Sequence, residues 1–312
     1  MGGSGGGFFY GETDTNKIKE MVEEARTRTR GEAYETEVSE RLNELLVEYN
    51  DRDVERIRFY LDTIKGLLQE DIEGTVDLRF GGSIQKRTYV DGLSDVDCLV
   101  QLKDPQLESM SPRGVLEYFR QKMEQHLGRL AKVSVGDLAV TVEYPDGTKI
   151  QLLPAIRKGA GLVIPAGRGD QWSNIIRPDR FAARLTEVNQ GCNGKVVPVI
   201  KLAKAAISKL LPEEYPLTGY HTESLAIEAF KSYTGSTTIK AMMEHFFERV
   251  KDLVKRNIRD RTGQSVHVDD YLGGENSSIR DVISNHLDDI SRNIKNANAQ
   301  SSVSEWIAAI GE

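Results

Sequence analysis

The chain has 312 residues, 29% of them charged and 39% hydrophobic, which fits a soluble globular protein with room for two lobes or two domains. It contains no run of 18 apolar residues, so no helical membrane span is supported, and its net charge of −7 argues against nucleic acid as a required partner, which needs a basic face. The only cysteines are Cys98 and Cys192; Cys98, inside an apolar stretch, reads as core rather than half of a bridge, which points to a reducing cytoplasm. Residues 1–16 open with six glycines and serines behind Met1 and read as a flexible leader, lacking the basic and apolar regions of a secretory signal. A short charged helix is expected over 16–26. Over 32–70, Val38, Leu42, Leu45 and Tyr49, then Ile57, Leu61, Ile64 and Leu68, recur at helical spacing on either side of a break at 50–53. These helices are expected to brace a sheet from behind, and 76–80 reads as the strand that delivers a glycine turn.

That turn, Gly81-Gly82-Ser83, is followed by a short helical stretch, a loop, and Ser94-Asp95-Val96-Asp97-Cys98-Leu99-Val100. Side chains alternate along a strand, so Asp95 and Asp97 face the same way, about 6–7 Å apart. Two like charges on one face call for a hard divalent cation, and Mg2+ is commonly held by one or two carboxylates plus substrate phosphates. Gly82 and Ser83, at the start of the helical stretch, present backbone N–H groups to those phosphates. Alone, an Asp-x-Asp or a Gly-Gly-Ser is usually a solvated strand end or a plain turn. Together, in this order and about a dozen residues apart, they resemble the signature of the polymerase-β-like nucleotidyltransferases.

Pro112 suits the first turn of a helix with Val115, Leu116, Phe119, Met123 and Leu127 on its buried stripe. Next, 139–144 and 149–155 flank Pro145-Asp146-Gly147 and read as a hairpin. Its second strand ends Leu152-Leu153-Pro154-Ala155 and a helical half follows. With the earlier motifs, this resembles the cGAS/DncV-like nucleotidyltransferases (CD-NTases) of bacterial antiphage systems, over about residues 35–312. The resemblance implies an α+β fold: a nucleotidyltransferase lobe at 17–185, built on a small mixed sheet, and a C-terminal helical lobe at 186–312, with the active site in the cleft between them. It also implies that Lys204, on the apolar helix near 196–207, and Thr218, fourteen residues later, grip the donor triphosphate, with Lys201 in reserve. Tyr220 is a base-stacking candidate or a structural tyrosine, and Trp172 either stacks on a base or packs against the sheet.

One position departs from the family pattern. A third aspartate is expected where Gln151 stands, and an amide carries no charge and takes no proton from an attacking hydroxyl. Gln151 serves as a neutral ligand, or Glu143 on the paired strand substitutes, or the chain is catalytically weak. The implied activity is synthesis of a cyclic di- or trinucleotide or an oligonucleotide messenger from NTPs, ATP among them, with Mg2+ or Mn2+ at Asp95 and Asp97 and pyrophosphate as the leaving group. Implied partners are regulatory or effector proteins of a defence operon. The alternatives are transfer to an RNA end or other acceptor, and a degenerate nucleotide-binding sensor. Five scattered histidines show no zinc spacing. The basic run from Arg249 to Arg261 reads as a solvated helix face, with RNA binding as the alternative, and Trp306 as a core anchor.

Overall fold

A computed structural model describes residues 15–50, 54–71, 77–80, 86–90, 95–166, 170–215, 217–263 and 267–312, with the backbone alone at 15–18, 54, 71 and 77–80. The expected turn at Gly82 and Ser83 and residues 1–14 of the expected 1–16 leader lie outside the described residues, whereas Thr15 and Asn16 begin a helix.

Six strands form one mixed sheet: β1 (Asp77–Phe80), β2 (Val96–Leu102), β3 (Lys132–Val135), β4 (Val140–Glu143), β5 (Lys149–Lys158) and β6 (Gly161–Val163). The order is β1-β2-β5-β4-β3, and β6 folds back onto β5. All pairings are antiparallel except β2 with β5, whose parallel register places Asp97 beside Gln151 and Leu99 beside Leu153. The expected β4–β5 hairpin is present, and Gly147 takes the positive φ of 86° that its turn requires. In β2, Val96, Cys98 and Val100 are fully buried whereas Asp97 and Leu99 are half-buried. Alternation therefore sends the apolar set into a core and the other set into the cleft.

That core is closed by two helices, α2 (Val54–Asp71) and α4 (Pro112–Leu127), through Ile64 and Leu68 of the first and Val115, Phe119 and Met123 of the second. Between β2 and α4 lies α3 (Pro105–Ser109), whose first turn is closed by the Asp104 carboxylate accepting from the Gln106 and Leu107 amides. Ser111 caps α4 in the same way, with Pro112 at its first position.

The amino-terminal helix differs from expectation. A single helix, α1 (Thr15–Glu48), runs through both segments predicted as separate, since its one glycine, Gly31, costs only about 1 kcal/mol against alanine. It does not brace the sheet either. Tyr34, Val38, Leu42 and Leu45 join the core of the helical half, so of the first two helices only α2 backs the sheet.

The helical half comprises α5 (Pro178–Gly191), α6 (Val196–Leu210), α7 (Gly219–Phe230), α8 (Ile239–Leu253), α9 (Ser278–Gln300) and α10 (Val303–Ala308). Buried residues surround α6 on every side from Val199 to Ile207, the pattern of a central helix. Trp306 is fully buried, as anticipated. Both cysteines are free and buried. In the basic run, Lys251 pairs with Asp288 at 2.9 Å and Arg261 with Glu228 at 2.5 Å, part of a paired, solvated face. No helix among the described residues is long and apolar enough to cross a membrane.

Candidate active site

A cavity of about 1020 Å³ lies between the sheet and the helical half. Asp95, Asp97 and Gln151 line it from the sheet, and Lys204, Thr218 and Tyr220 from α6 and the start of α7. Six of the eight residues singled out in the sequence therefore meet in one cleft; the other two, Gly82 and Ser83, lie outside the described residues.

The acids sit where the strand begins. Asp95 immediately precedes β2 rather than lying within it, and Asp97 is the strand's second residue. Gln151 is in register with Asp97, and its Nε2 donates to Asp95 Oδ2 at 2.5 Å. The structure does not bring Glu143 to the acids: it pairs with Lys149 at 3.7 Å, two register pairs nearer the hairpin turn than Gln151, and is absent from the cavity wall. Among the described residues no three His, Cys, Asp or Glu side chains converge on a cation position. The donor set is two carboxylates and one amide oxygen. All three are hard oxygen donors of the kind Mg2+ takes, so the residues fit that ion, which Asp95 and Asp97 would hold with Gln151 as a neutral neighbour.

Across the cleft, Lys204 is 6% exposed and its ammonium donates to Glu223 Oε1 at 2.8 Å and to the Thr88 carbonyl at 3.1 Å. Glu223, 1% exposed on α7, also accepts from Lys86 and from the Thr88 hydroxyl. One buried carboxylate thus gathers two lysines and a threonine, joining the segment before β2 to α6 and α7. Burial pushes the Glu223 carboxyl up, but the Lys86 and Lys204 charges outweigh it and hold it below the ordinary glutamate range. Burial pulls Lys204 below the ordinary lysine range despite its pairing with Glu223. The cluster carries two ammoniums for one carboxylate, so a positive charge is left facing the cleft.

Thr218 is the N-cap of α7, its hydroxyl accepting from the His221 amide, which places it at the positive end of that helix. Tyr220 packs against Phe181 with ring centroids 4.6 Å apart, donates to Asp260 at 2.8 Å, and has the Lys86 ammonium 5.3 Å from its ring centre. Its phenol is pushed far up, by burial first and then by Asp260. Lys201 is not a reserve ligand; one turn before Lys204, it bonds Asn50 away from the cavity. Trp172 packs against the sheet core and donates to the Met110 carbonyl at 3.2 Å.

Glu223, Lys86 and Thr88 were not singled out in the sequence. A signal existed: Glu223, Ile227 and Phe230, like Ile200, Lys204 and Ile207, follow apolar-stripe spacing, and a charge on such a stripe needs a buried partner.

No family model matches the sequence, and no curated protein matches it. Solved structures do match. The E. coli MS115-1 CdnC in its HORMA-deltaN complex is 16% identical with a TM-score of 0.65, covering 85% of this chain and 92% of its own. The Bradyrhizobium diazoefficiens CD-NTase CdnG in complex with GTP is 11% identical with a TM-score of 0.66, over 88% and 98%. The Vibrio cholerae di-nucleotide cyclase DncV, solved as its D193N mutant with ATP, GTP and 5MTHFGLU2, is 11% identical with a TM-score of 0.62, over 96% and 91%. The chain has the fold of the CD-NTases, a polymerase-β-like mixed sheet joined to a helical half, over most of its length.

Proposed function

We infer that the chain is a nucleotidyltransferase that joins NTPs into a cyclic di- or trinucleotide, or an oligonucleotide, acting as a messenger in antiphage signalling. The observation that carries this reading is the meeting of Asp95, Asp97 and Gln151 with Lys204, Thr218 and Tyr220 around one cavity large enough for nucleotides. The fold shared with CdnC, CdnG and DncV supports it.

In this reading a 2′ or 3′ hydroxyl oxygen of the acceptor bonds to the α-phosphorus of the donor, and the bond from that phosphorus to the departing pyrophosphate breaks. Asp95 and Asp97 would hold Mg2+ (or Mn2+), which when bound would supply Lewis-acid polarisation of the α-phosphate and charge compensation for the pyrophosphate. Gln151 takes no proton, so the hydroxyl proton passes towards the carboxylates beside it. Lys204, drawn from the Glu223 cluster, and the Thr218 hydroxyl grip the triphosphate together with the Gly82-Ser83 turn. Tyr220, braced by Phe181 and Asp260, offers its ring to a base. The CdnC solved in complex with HORMA-deltaN supports a protein partner.

Incubation with labelled NTPs alone and Mg2+ tests the reading. Pyrophosphate release and a new phosphodiester are expected, and Asp97→Ala is expected to abolish both; near-normal release by that variant overturns the assignment. A second reading, nucleotide binding without turnover, draws on the hydrogen bond from Gln151 to Asp95, which occupies a carboxylate oxygen that a cation would use. It predicts NTP binding with no pyrophosphate at any Mg2+ or Mn2+ concentration. Transfer to an RNA end predicts turnover only when RNA is added.

A further inference from the structure

A second groove, of about 240 Å³, opens along the sheet beside the main cavity and shares Leu99, Ile176 and Pro178 with it. Its far wall carries three guanidinium groups: Arg157 near the end of β5, and Arg177 and Arg180 at the start of α5. All three residues are exposed, and among the described residues none of these side chains is paired with a carboxylate. Asp179 is the one acid on the wall, which leaves two positive charges in excess. The floor holds Gln101, only 6% exposed, whose side-chain amide has no hydrogen-bond partner among the described residues. That amide is not one of the sealed, unpartnered groups among the described residues, so it opens to the groove rather than into the core. Paired arginines would need no ligand, but unpaired arginines lining one groove with such an amide suit an oxyanion.

The sheet fixes where this groove lies relative to the acids. Asp97, Leu99 and Gln101 alternate onto one face of β2, and Gln151, Leu153, Ala155 and Arg157 onto the same face of β5. Arg157 lies six residues along β5 from Gln151, which is in register with Asp97, or roughly 20 Å at about 3.3 Å per residue, and Gln101 lies between at roughly 13 Å from Asp97. That is the scale of a nucleotide or dinucleotide lying along the sheet with its reactive hydroxyl at the acids. The donor triphosphate is claimed by Lys204 and Thr218 on the opposite wall.

We propose that this groove binds the 5′-phosphate end of the acceptor, a nucleoside triphosphate or a short 5′-phosphorylated oligonucleotide, and thereby sets its register at Asp95 and Asp97. Arg157, Arg177 and Arg180 take the phosphate oxygens, and the Gln101 amide donates to one of them. This rests on the function inferred above and adds to it a second phosphate site that discriminates acceptors by their 5′ end.

The test measures equilibrium binding of a fluorescent 5′-triphosphorylated dinucleotide and of its 5′-hydroxyl counterpart to the full chain. A saturating non-hydrolysable NTP fills the donor site. The triphosphorylated form is expected to bind about tenfold more tightly, the scale of 1.4 kcal/mol. The double variant Arg157→Gln/Arg180→Gln is expected to lose most of that preference while binding the NTP analogue as before and keeping its circular dichroism and unfolding midpoint. Equal binding of the two dinucleotides by the wild-type chain overturns the proposal, as does a preference that survives in the double variant. Displacement of the probe by any 5′-hydroxyl RNA of equal length with equal potency also overturns it, since the groove then reads backbone rather than a 5′ end. Pyrophosphate release by the wild-type chain is scored separately, so the groove can fail while the synthase reading stands, and the reverse.

Discussion

Gln151 sits in register with Asp97 and hydrogen-bonded to Asp95, so it stands beside the candidate metal position without adding charge. Restoring a carboxylate there would have two opposing effects. In the absence of cation a third anion beside Asp95 and Asp97 repels both; in its presence the added charge strengthens the site. Gln151→Asp is therefore expected to lower the Mg2+ concentration for half-maximal pyrophosphate release by about tenfold, the equivalent of 1.4 kcal/mol. It should also lower the unfolding midpoint in EDTA, and metal titrations of both forms check the pair of effects. The acids themselves were legible as residues because an Asp-x-Asp pair opening an apolar strand is a signal of its own, although Asp95 proves to lie just before β2 rather than on it. Glu143 was not: the pattern places it on the correct face, and only the hairpin register shows that it pairs with Lys149 nearer the turn.

At the level of elements, α7 does two jobs. Its first turn carries Thr218 and Tyr220 into the cleft, while His221 points the other way, fully buried, with Nδ1 2.9 Å from the Tyr271 hydroxyl. Asp269 lies 3.8 Å from Nε2, and Arg280, itself buried and bonded to Asp269 at 2.7 Å, opposes protonation. Burial dominates, and the imidazole is pulled down to about 4 from an ordinary 6.5, with Asp269 only partly compensating. The unfolded chain then takes up a proton between these two values that the folded chain refuses. Stability is thus full above about pH 6.5 and falls as pH drops towards 4, by roughly 2 kcal/mol at pH 5 from this group alone. Urea unfolding at pH 7.5 and pH 5 should show that difference in the wild-type chain, and His221→Gln should remove this part of the pH dependence whatever its constant cost. The periodicity of 38–68 and 112–127 made the helices legible. It could not place α1, because an amphipathic stripe states that a helix is buried and not against which core.

For the molecule as a whole, the Glu223 cluster is the polar joint between the two halves, since its partners come from the segment before β2, from α6 and from α7. Removing the negative charge strands two ammoniums in a space with no other buried carboxylate partner for Lys204 among the described residues. Glu223→Gln is expected to cost about 3–5 kcal/mol, the usual penalty for breaking a buried ion pair by removing one partner. Guanidinium unfolding gives the magnitude. An unchanged midpoint would show that the joint bears no stability. The joint was hidden in the sequence because its members lie at 86, 88, 204 and 223, and only the closure of the cleft brings them together.

The placement of α1 makes segments far apart in the sequence mutually dependent. Tyr34 bonds Asn298 at 2.9 Å, Tyr49 reaches Glu312, and Lys209 pairs with that same glutamate at 2.6 Å. A cut between the catalytic sheet and the helices would therefore leave neither fragment whole: the carboxyl-terminal piece would expose the groove that α1 fills, and the amino-terminal piece would carry a long amphipathic rod with nothing to rest on. Evolution by swapping one half for another is correspondingly constrained, because any exchanged helical half must still receive a helix encoded ahead of the whole sheet.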